Sequence, residues 1–477
     1  MKTRSLRIWL WAGISLIGSY LFYQQSAGIN YLVFSILSVI LVFGLHPALR
    51  QSRQGKAIAF GCLITAAGVV WHHTLLAVLL NWVSFVALAG YCVYPYTSLA
   101  AALPNGLYAM LFSIWKGRWL ADHAGKEGWA GIGIARVASC LVPVGITVLF
   151  LVLYTIANPA FAALVQQAQG EIISPFRLIF TLTCAYGLIA LVYPAGLAIL
   201  LRADQRTPNT LIRQRKTASL FSFSTIALKH EFRAGWLLFI LLNSLLLLFN
   251  GIDLLYLVTG QLPEGVTYSA YVHQGVTALI ISIVLAIGIV MYFFRRNLNF
   301  YHRSGQLKMA AYGWICQNIL LVLTTAYKNG LYIDAYGLTQ KRVGVYVYLA
   351  LALAGLLTTY MKVKQIKSNA FLLRYNSWVV YTVLAGMTLF NWPRIITKYN
   401  LTHLPADQID FQYLSRLSNN NLDLLSEALH NPAYRLPKKV QSRIKHKMED
   451  LQDSALQQDW RSWNFAEAQV LNQLTYE

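Results

Sequence analysis

The chain has 477 residues, of which 57% are hydrophobic and only 12% charged, roughly half the charged share of a soluble domain. Its formal net charge of +21 would suit a nucleic-acid binder. However, residues 391–477 carry ten basic and ten acidic side chains, so the whole excess lies among apolar runs and a nucleic-acid partner is excluded.

Apolar runs long enough to cross a hydrocarbon core recur from end to end, which predicts an all-α, polytopic transmembrane bundle. Eleven spans are expected, at about 6–23, 29–49, 57–74, 76–95, 132–156, 177–201, 234–258, 275–294, 309–327, 343–361 and 372–390. The first follows a basic start, as a signal peptide does. Its apolar part is long and a second span follows a short polar turn, so it reads as a retained helix. Region 104–130 is half apolar and charged at its far end, and reads as an interfacial helix rather than a crossing.

Flanking charge sets the expected orientation. With the N-terminus inside, 25 basic residues of the first 390 fall in cytoplasmic segments and four outside: Arg177, Lys328, Lys341 and Arg342. Such a bias is what the positive-inside rule produces, and it predicts a cytoplasmic N-terminus and an extracytoplasmic C-terminus. Beyond Trp392-Pro393 the composition changes. Two stretches with apolar residues at helical spacing and charges of both signs predict a small helical segment over 396–477. Three regions follow: 1–230 and 231–395 in the membrane, and 396–477 outside it.

Polar residues inside the spans are few. Asn243, Asn250 and Asp253 share one face of the seventh span, with Asn250 about 20° and Asp253 about 80° from Asn243. Gln317 and Asn318 lie in the ninth span at similar depth to Asn243. Such groups either glue helices together or line a functional track, since an ionisable residue in a span is a candidate by default. Asn243 and Gln317, costly to leave unpaired in lipid, predict contact between spans seven and nine.

Three of the four outside bases fall in "AYKNGLYIDAYGLTQKRVGVY", residues 326–346. Here Lys328 is expected to end span nine. The segment Tyr332-Asp334-Tyr336 then folds back in extended form, and Gly337 makes a turn into span ten. Asp334 is the expected acceptor for Lys328, Lys341 or Arg342. A base left over could hold an anionic head group, with Asp253 or His273 completing the site.

The five cysteines lie in or beside apolar runs without metal or disulfide spacing, and read as small buried hydrophobes. His72 and His73 point about 100° apart on a helix, which disfavours one shared metal. There is no P-loop, GxGxxG, HExxH or GxSxG motif, so neither a cofactor, a metal nor catalytic residues are implied.

The stretches "YSAYVHQGVTALIISIVLAIGIVMYFFRRNLNFY", "YGWICQN" and "YKNGLYIDAYGLTQKRVGVYVYLALALAGLLTTYMK" together resemble a bacterial multispanning family. It is a domain of unknown function numbered four-one-seven-three, with a sibling numbered four-one-five-three, in its Bacteroidetes-type form. The resemblance covers about residues 230–400, with "YGLT" and "YVHQG" its most specific blocks. It implies a protein of the bacterial inner membrane and brings no activity, substrate or catalytic residue. The expected functions are a membrane sensor, scaffold or complex subunit. The alternatives are a permease, and then an enzyme acting on lipids or lipid-linked glycans. The partners implied are membrane lipids, an anionic head group or another membrane protein.

Overall fold

The computed structural model describes residues 2–116, 175–213, 225–259 and 268–475, with isolated positions between 150 and 158. Among the described residues there is no strand, and the architecture is all-α. The chain forms two compact units. The first holds Met1–Asp204, Ala385–Phe390 and Gln452–Gln469; the second holds Gln205–Leu384, Asn391–Leu451 and Val470–Glu477.

The first unit contains α1 (Lys2–Phe22), α2 (Ile29–Leu45), α3 (Pro47–Gln51), α4 (Arg53–His72), α5 (Leu75–Val93), α6 (Leu99–Lys116), α7 (Pro175–Val192) and α8 (Ala198–Arg206). Small residues govern its tightest packing, as in membrane helix pairs generally. A Cβ on Gly90 would lie 1.9 Å from the Ala102 carbonyl, and one on Gly106 would lie 1.8 Å from that of Val86. Helices α5 and α6 therefore touch backbone to backbone. Asn81 is buried in the same unit and donates to the Cys62 carbonyl at 3.0 Å and to Thr65 Oγ1 at 3.1 Å.

Helix α6 differs from the interfacial helix expected at 104–130. It starts five residues earlier, carries Pro104 in its interior, and buries Ala102, Asn105, Ala109 and Ser113. The N-terminal turn is held by Asp204, whose carboxylate accepts from Thr97 Oγ1, Ser98 N and Ser98 Oγ, each at 2.9 Å. Between α7 and α8 the helix breaks at Pro194. The amides freed there are taken up by α6, with Ala195 N donating to Ser113 Oγ at 3.0 Å and Leu197 N to Asn105 Oδ1 at 2.9 Å. The remainder of 104–130, and most of the span expected at 132–156, lie outside the described residues.

The second unit contains α9 (Thr225–Thr259), α10 (Tyr268–Phe293), α11 (Ser304–Tyr336) and α12 (Gln340–Lys364), with most of α13 (Asn369–Met387). Their common core includes Phe239, Ile283, Phe294, Leu307, Leu321 and Leu356. The same unit holds α14 (Trp392–His403), α15 (Phe411–Leu414), α16 (Leu422–His430) and the first part of α17 (Lys438–Gln457). These pack around Ile396, Phe411, Leu414, Leu422, Leu425 and Ile444. The last helix, α18 (Phe465–Thr475), begins in the first unit.

Five described helices are long and apolar enough to cross a membrane: α4, α5, α11, α12 and the Leu228–Thr259 part of α9. A sixth results if α13 and α14, bent by 63° at their junction, form one span. Five shorter apolar helices accompany them, within α1, α2, α6, α7 and α10. With this helical content and apolarity the chain is an integral membrane protein.

Candidate functional site: a buried ion pair and the hairpin beyond it

Helices α9 and α11 bring together most of the polar residues expected to matter. Gln317 Nε2 donates to Asn243 Oδ1 at 2.8 Å, so these two side chains pair as their shared depth predicts. Asn243 Nδ2 in turn reaches the Ala310 carbonyl at 2.9 Å. One helical heptad further on, Asn250 Nδ2 donates to the Gln317 carbonyl at 3.2 Å. Asn318 is buried but turned onto its own helix, donating to the Trp314 carbonyl at 2.8 Å.

At the far end of this seam, Lys328 Nζ donates to Asp253 Oδ1. Lys328 is 8% and Asp253 5% exposed, so both charges have left water. Each ion alone would suffer a desolvation penalty of several kcal/mol, which the partner's charge helps to offset. This overturns the expectation that Asp334 receives Lys328. The acceptor lies 75 positions away in sequence, on a helix that packs alongside.

The structure also corrects the local shape of 326–346. Helix α11 does not end at Lys328 but runs on to Tyr336, 33 residues in all. Tyr332 and Asp334 are therefore helical rather than extended. No proline stands between Lys328 and Gly337, the helix carries on through Gly330, and adding a residue to an existing helix needs no new nucleus. The turn itself falls where expected. Gly337 has φ +80, a conformation that glycine adopts without steric cost. The next helix is capped by Thr339, whose hydroxyl accepts from Arg342 N at 3.3 Å.

Arg342 closes the hairpin. Its Nη1 donates to the Tyr336 carbonyl at 2.8 Å and to that of Gly337. The guanidinium sits 4.1 Å from the Tyr332 ring centroid. A cation on the last carbonyls of a helix also complements its dipole. Asn329 Nδ2 donates across the hairpin to the Arg342 carbonyl at 3.1 Å. Asp334 is exposed and accepts from the Tyr399 hydroxyl at 3.3 Å, while Lys341 is exposed. His273 falls in α10, but its side chain is outside the described residues.

Sequence reasoning did not anticipate the grip on this turn. Asn400 of α14 accepts from Leu338 N at 2.6 Å and donates to the Leu338 carbonyl at 3.0 Å, copying a strand's pairing with one side chain. Gln340 N donates to the Tyr413 hydroxyl at 2.8 Å. A Cβ on Gly337 would fall 2.7 Å from Asn400 Oδ1. The helical tail residues thus hold the turn that follows the ion pair by nine residues.

A second ion pair lies within the tail itself. Arg394 Nη1 lies 2.5 Å from Asp423 Oδ2, and Asn421 Nδ2 donates to Thr397 Oγ1 at 2.7 Å. Burial pushes the Asp423 carboxyl above the usual aspartate range, with Arg394 opposing that shift but not cancelling it. Lys362, fully buried at the end of α12, donates to the carbonyls of Phe294 at 2.7 Å and Lys367 at 3.0 Å and meets no carboxylate among the described residues. In the first unit, His72 Nε2 bonds to the Leu389 carbonyl at 2.9 Å and His73 Nδ1 to Glu467 at 3.0 Å, so the two rings serve different partners.

No curated protein and no solved structure matches this chain. The matching family is the one numbered four-one-five-three, and its match reaches well into the N-terminal half, beyond the blocks between 230 and 400. With residues 33–428 matched by the domain of unknown function DUF4153, the chain belongs to that family.

Proposed function

We propose that this membrane protein is a sensor or complex subunit in which the tail reports on, or sets, the state of the α11–α12 hairpin. The observation that carries this reading is the clamp of Asn400 and Tyr413 on residues 338–340. It ties a polar helical segment to the end of a helix whose buried lysine is held by Asp253. A change at the tail is thereby in a position to pull on the ion pair through one continuous helical stretch, Lys328–Tyr336. The charge bias of the flanking segments and the "YVHQG" and "YGLT" blocks of the Bacteroidetes-type resemblance support placement in a bacterial inner membrane. They also support a cytoplasmic N-terminus and a periplasmic tail.

The test is purification of the full chain from its native membrane after mild crosslinking, beside Asn400→Ala. A stoichiometric membrane partner retained by the wild type and lost in the variant is the expected result. A chain recovered alone in both cases would remove the reading.

One observation favours a permease as the second reading. Asn250 Oδ1, Gln317 Oε1 and Trp314 Nε1 are buried with no hydrogen-bond partner among the described residues, and polar atoms at membrane depth are costly in that state. A polar solute or water moving along the seam would satisfy them. Solute flux in liposomes holding the purified chain alone, abolished by Asn250→Leu, would favour this second reading over the first.

A further inference from the structure

Residues 452–469 belong to the first unit, and they combine two properties that no function above uses. The first is exposure of large apolar side chains in one short stretch. Leu456 is 87% and Trp460 53% exposed, and Trp463 and Phe465 are also exposed. The second is a dense set of bonds to the ends of apolar helices. Ile29 N, the first residue of α2, donates to the Trp463 carbonyl at 2.9 Å. Ser26 N donates to Ser462 Oγ at 3.0 Å, and Ser462 Oγ donates to Gln25 Oε1 at 2.8 Å. Gly28 admits this approach, since a Cβ there would fall 2.5 Å from the Ser462 carbonyl carbon and oxygen. The Arg461 guanidinium lies 4.6 Å from the Tyr20 ring centroid, near the end of α1. Glu467 binds His73, the cap of α4.

These bonds fix the level of the segment. The α1–α2 turn and the α4–α5 turn join four apolar helices, of which α4 and α5 are long enough to cross a membrane, and the two turns share one side because α2 and α4 run in opposite senses between them. A segment bonded to both turns lies at the rim of the apolar layer. Its exposed residues continue the lipid-facing surface of the same helices, where Tyr20, Trp71 and Leu75 are also exposed. Tryptophan is the residue whose amphipathic ring suits that depth. The segment's own charges, Asp453, Asp459, Arg461 and Glu467, are mostly acidic, so attraction to anionic lipid is not what would hold it there.

We infer that residues 456–465 are an interfacial anchor that inserts Leu456, Trp460, Trp463 and Phe465 into the boundary between lipid head groups and acyl chains. The occupant of this face is the bilayer itself. Apolar burial drives the insertion, so it persists at high salt.

The full chain carrying fluorinated tryptophan, reconstituted in nanodiscs, provides the test. Trp460→Phe and Trp463→Phe each delete one fluorine resonance and so assign it. In the wild type both resonances should be lost to broadening when lipids bear a nitroxide near the head group. Both should survive a water-soluble gadolinium chelate, at low salt and high salt alike. Broadening by the chelate alone would place the segment in water, and broadening by neither would place it inside protein; either result overturns the anchor.

Discussion

Two buried ion pairs in the second unit solve one problem under different conditions. Lys328–Asp253 lies between apolar helices with both partners almost fully covered. In Arg394–Asp423 only the acid is covered, and the arginine keeps 26% of its side-chain surface in solvent. In the first pair both charges have lost most of their water, so removing either partner leaves the other as a costly buried charge. The second can lose its acid and leave an arginine that water solvates. Burial of the weaker-covered partner, not the presence of a salt bridge, decides how much each pair matters.

The largest expected effect follows from that contrast. Asp253→Ala or Lys328→Ala should each destabilise the membrane bundle by about 3–5 kcal/mol, read as a loss of folded, monodisperse protein on heating in detergent. Replacing both with apolar residues of similar volume should recover much of the loss. A single variant as stable as wild type would place the pair in a wetter environment than its burial implies.

Next comes the clamp. Gly337→Ala forces a side chain into φ +80 and into contact with Asn400, and should cost about 1–3 kcal/mol. Asn400→Ala removes two hydrogen bonds and should cost about 2 kcal/mol. Limited proteolysis beside the 391–451 segment would reveal the release, since the tail should become cleavable while the bundle stays folded.

The tail pair should respond to pH rather than to deletion. Asp423 has a folded pKa above its unfolded value. Its contribution is therefore present below the ordinary aspartate range, about 3.9, and is lost as pH rises through the folded value. Asp423→Asn should accordingly lose little at neutral pH, and the wild type should gain on it as pH falls. The opposite trend, with the wild type gaining as pH rises, would show Arg394 outweighing burial.

The smallest effect is expected at Asp334, whose exposed carboxylate accepts from the Tyr399 hydroxyl. Asp334→Asn should change stability by no more than about 0.5 kcal/mol. A larger loss would restore the pairing with bases that the sequence suggested.

What was legible in the sequence was whatever follows from the membrane as solvent. Asn243 and Gln317 had to find partners, and they found each other. Gly337 had to turn the chain, and it does. The identity of Lys328's partner was not legible, because Asp334 is six positions away and Asp253 seventy-five, and pattern reading favours the near acid. Alternating Tyr332, Asp334 and Tyr336 resembled a strand, yet helix propagation from α11 overrode that local pattern. Asn400 gave no signal, since an asparagine in a polar helix is ordinary until its backbone partner is known. Pro104 drew the start of α6 too late, because the capping of its true N-terminus comes from Asp204, about a hundred residues further on.

The most direct measurement is a charge-swap cycle on the buried pair: Asp253→Lys, Lys328→Asp and the double exchange, each in the full chain in nanodiscs. If the two side chains answer one another, both singles lose thermal stability and the double regains at least half of it, a coupling of more than about 1 kcal/mol. Additive losses, with the exchange no better than the sum of its parts, would contradict the pairing on which the coupling of tail, hairpin and seam depends.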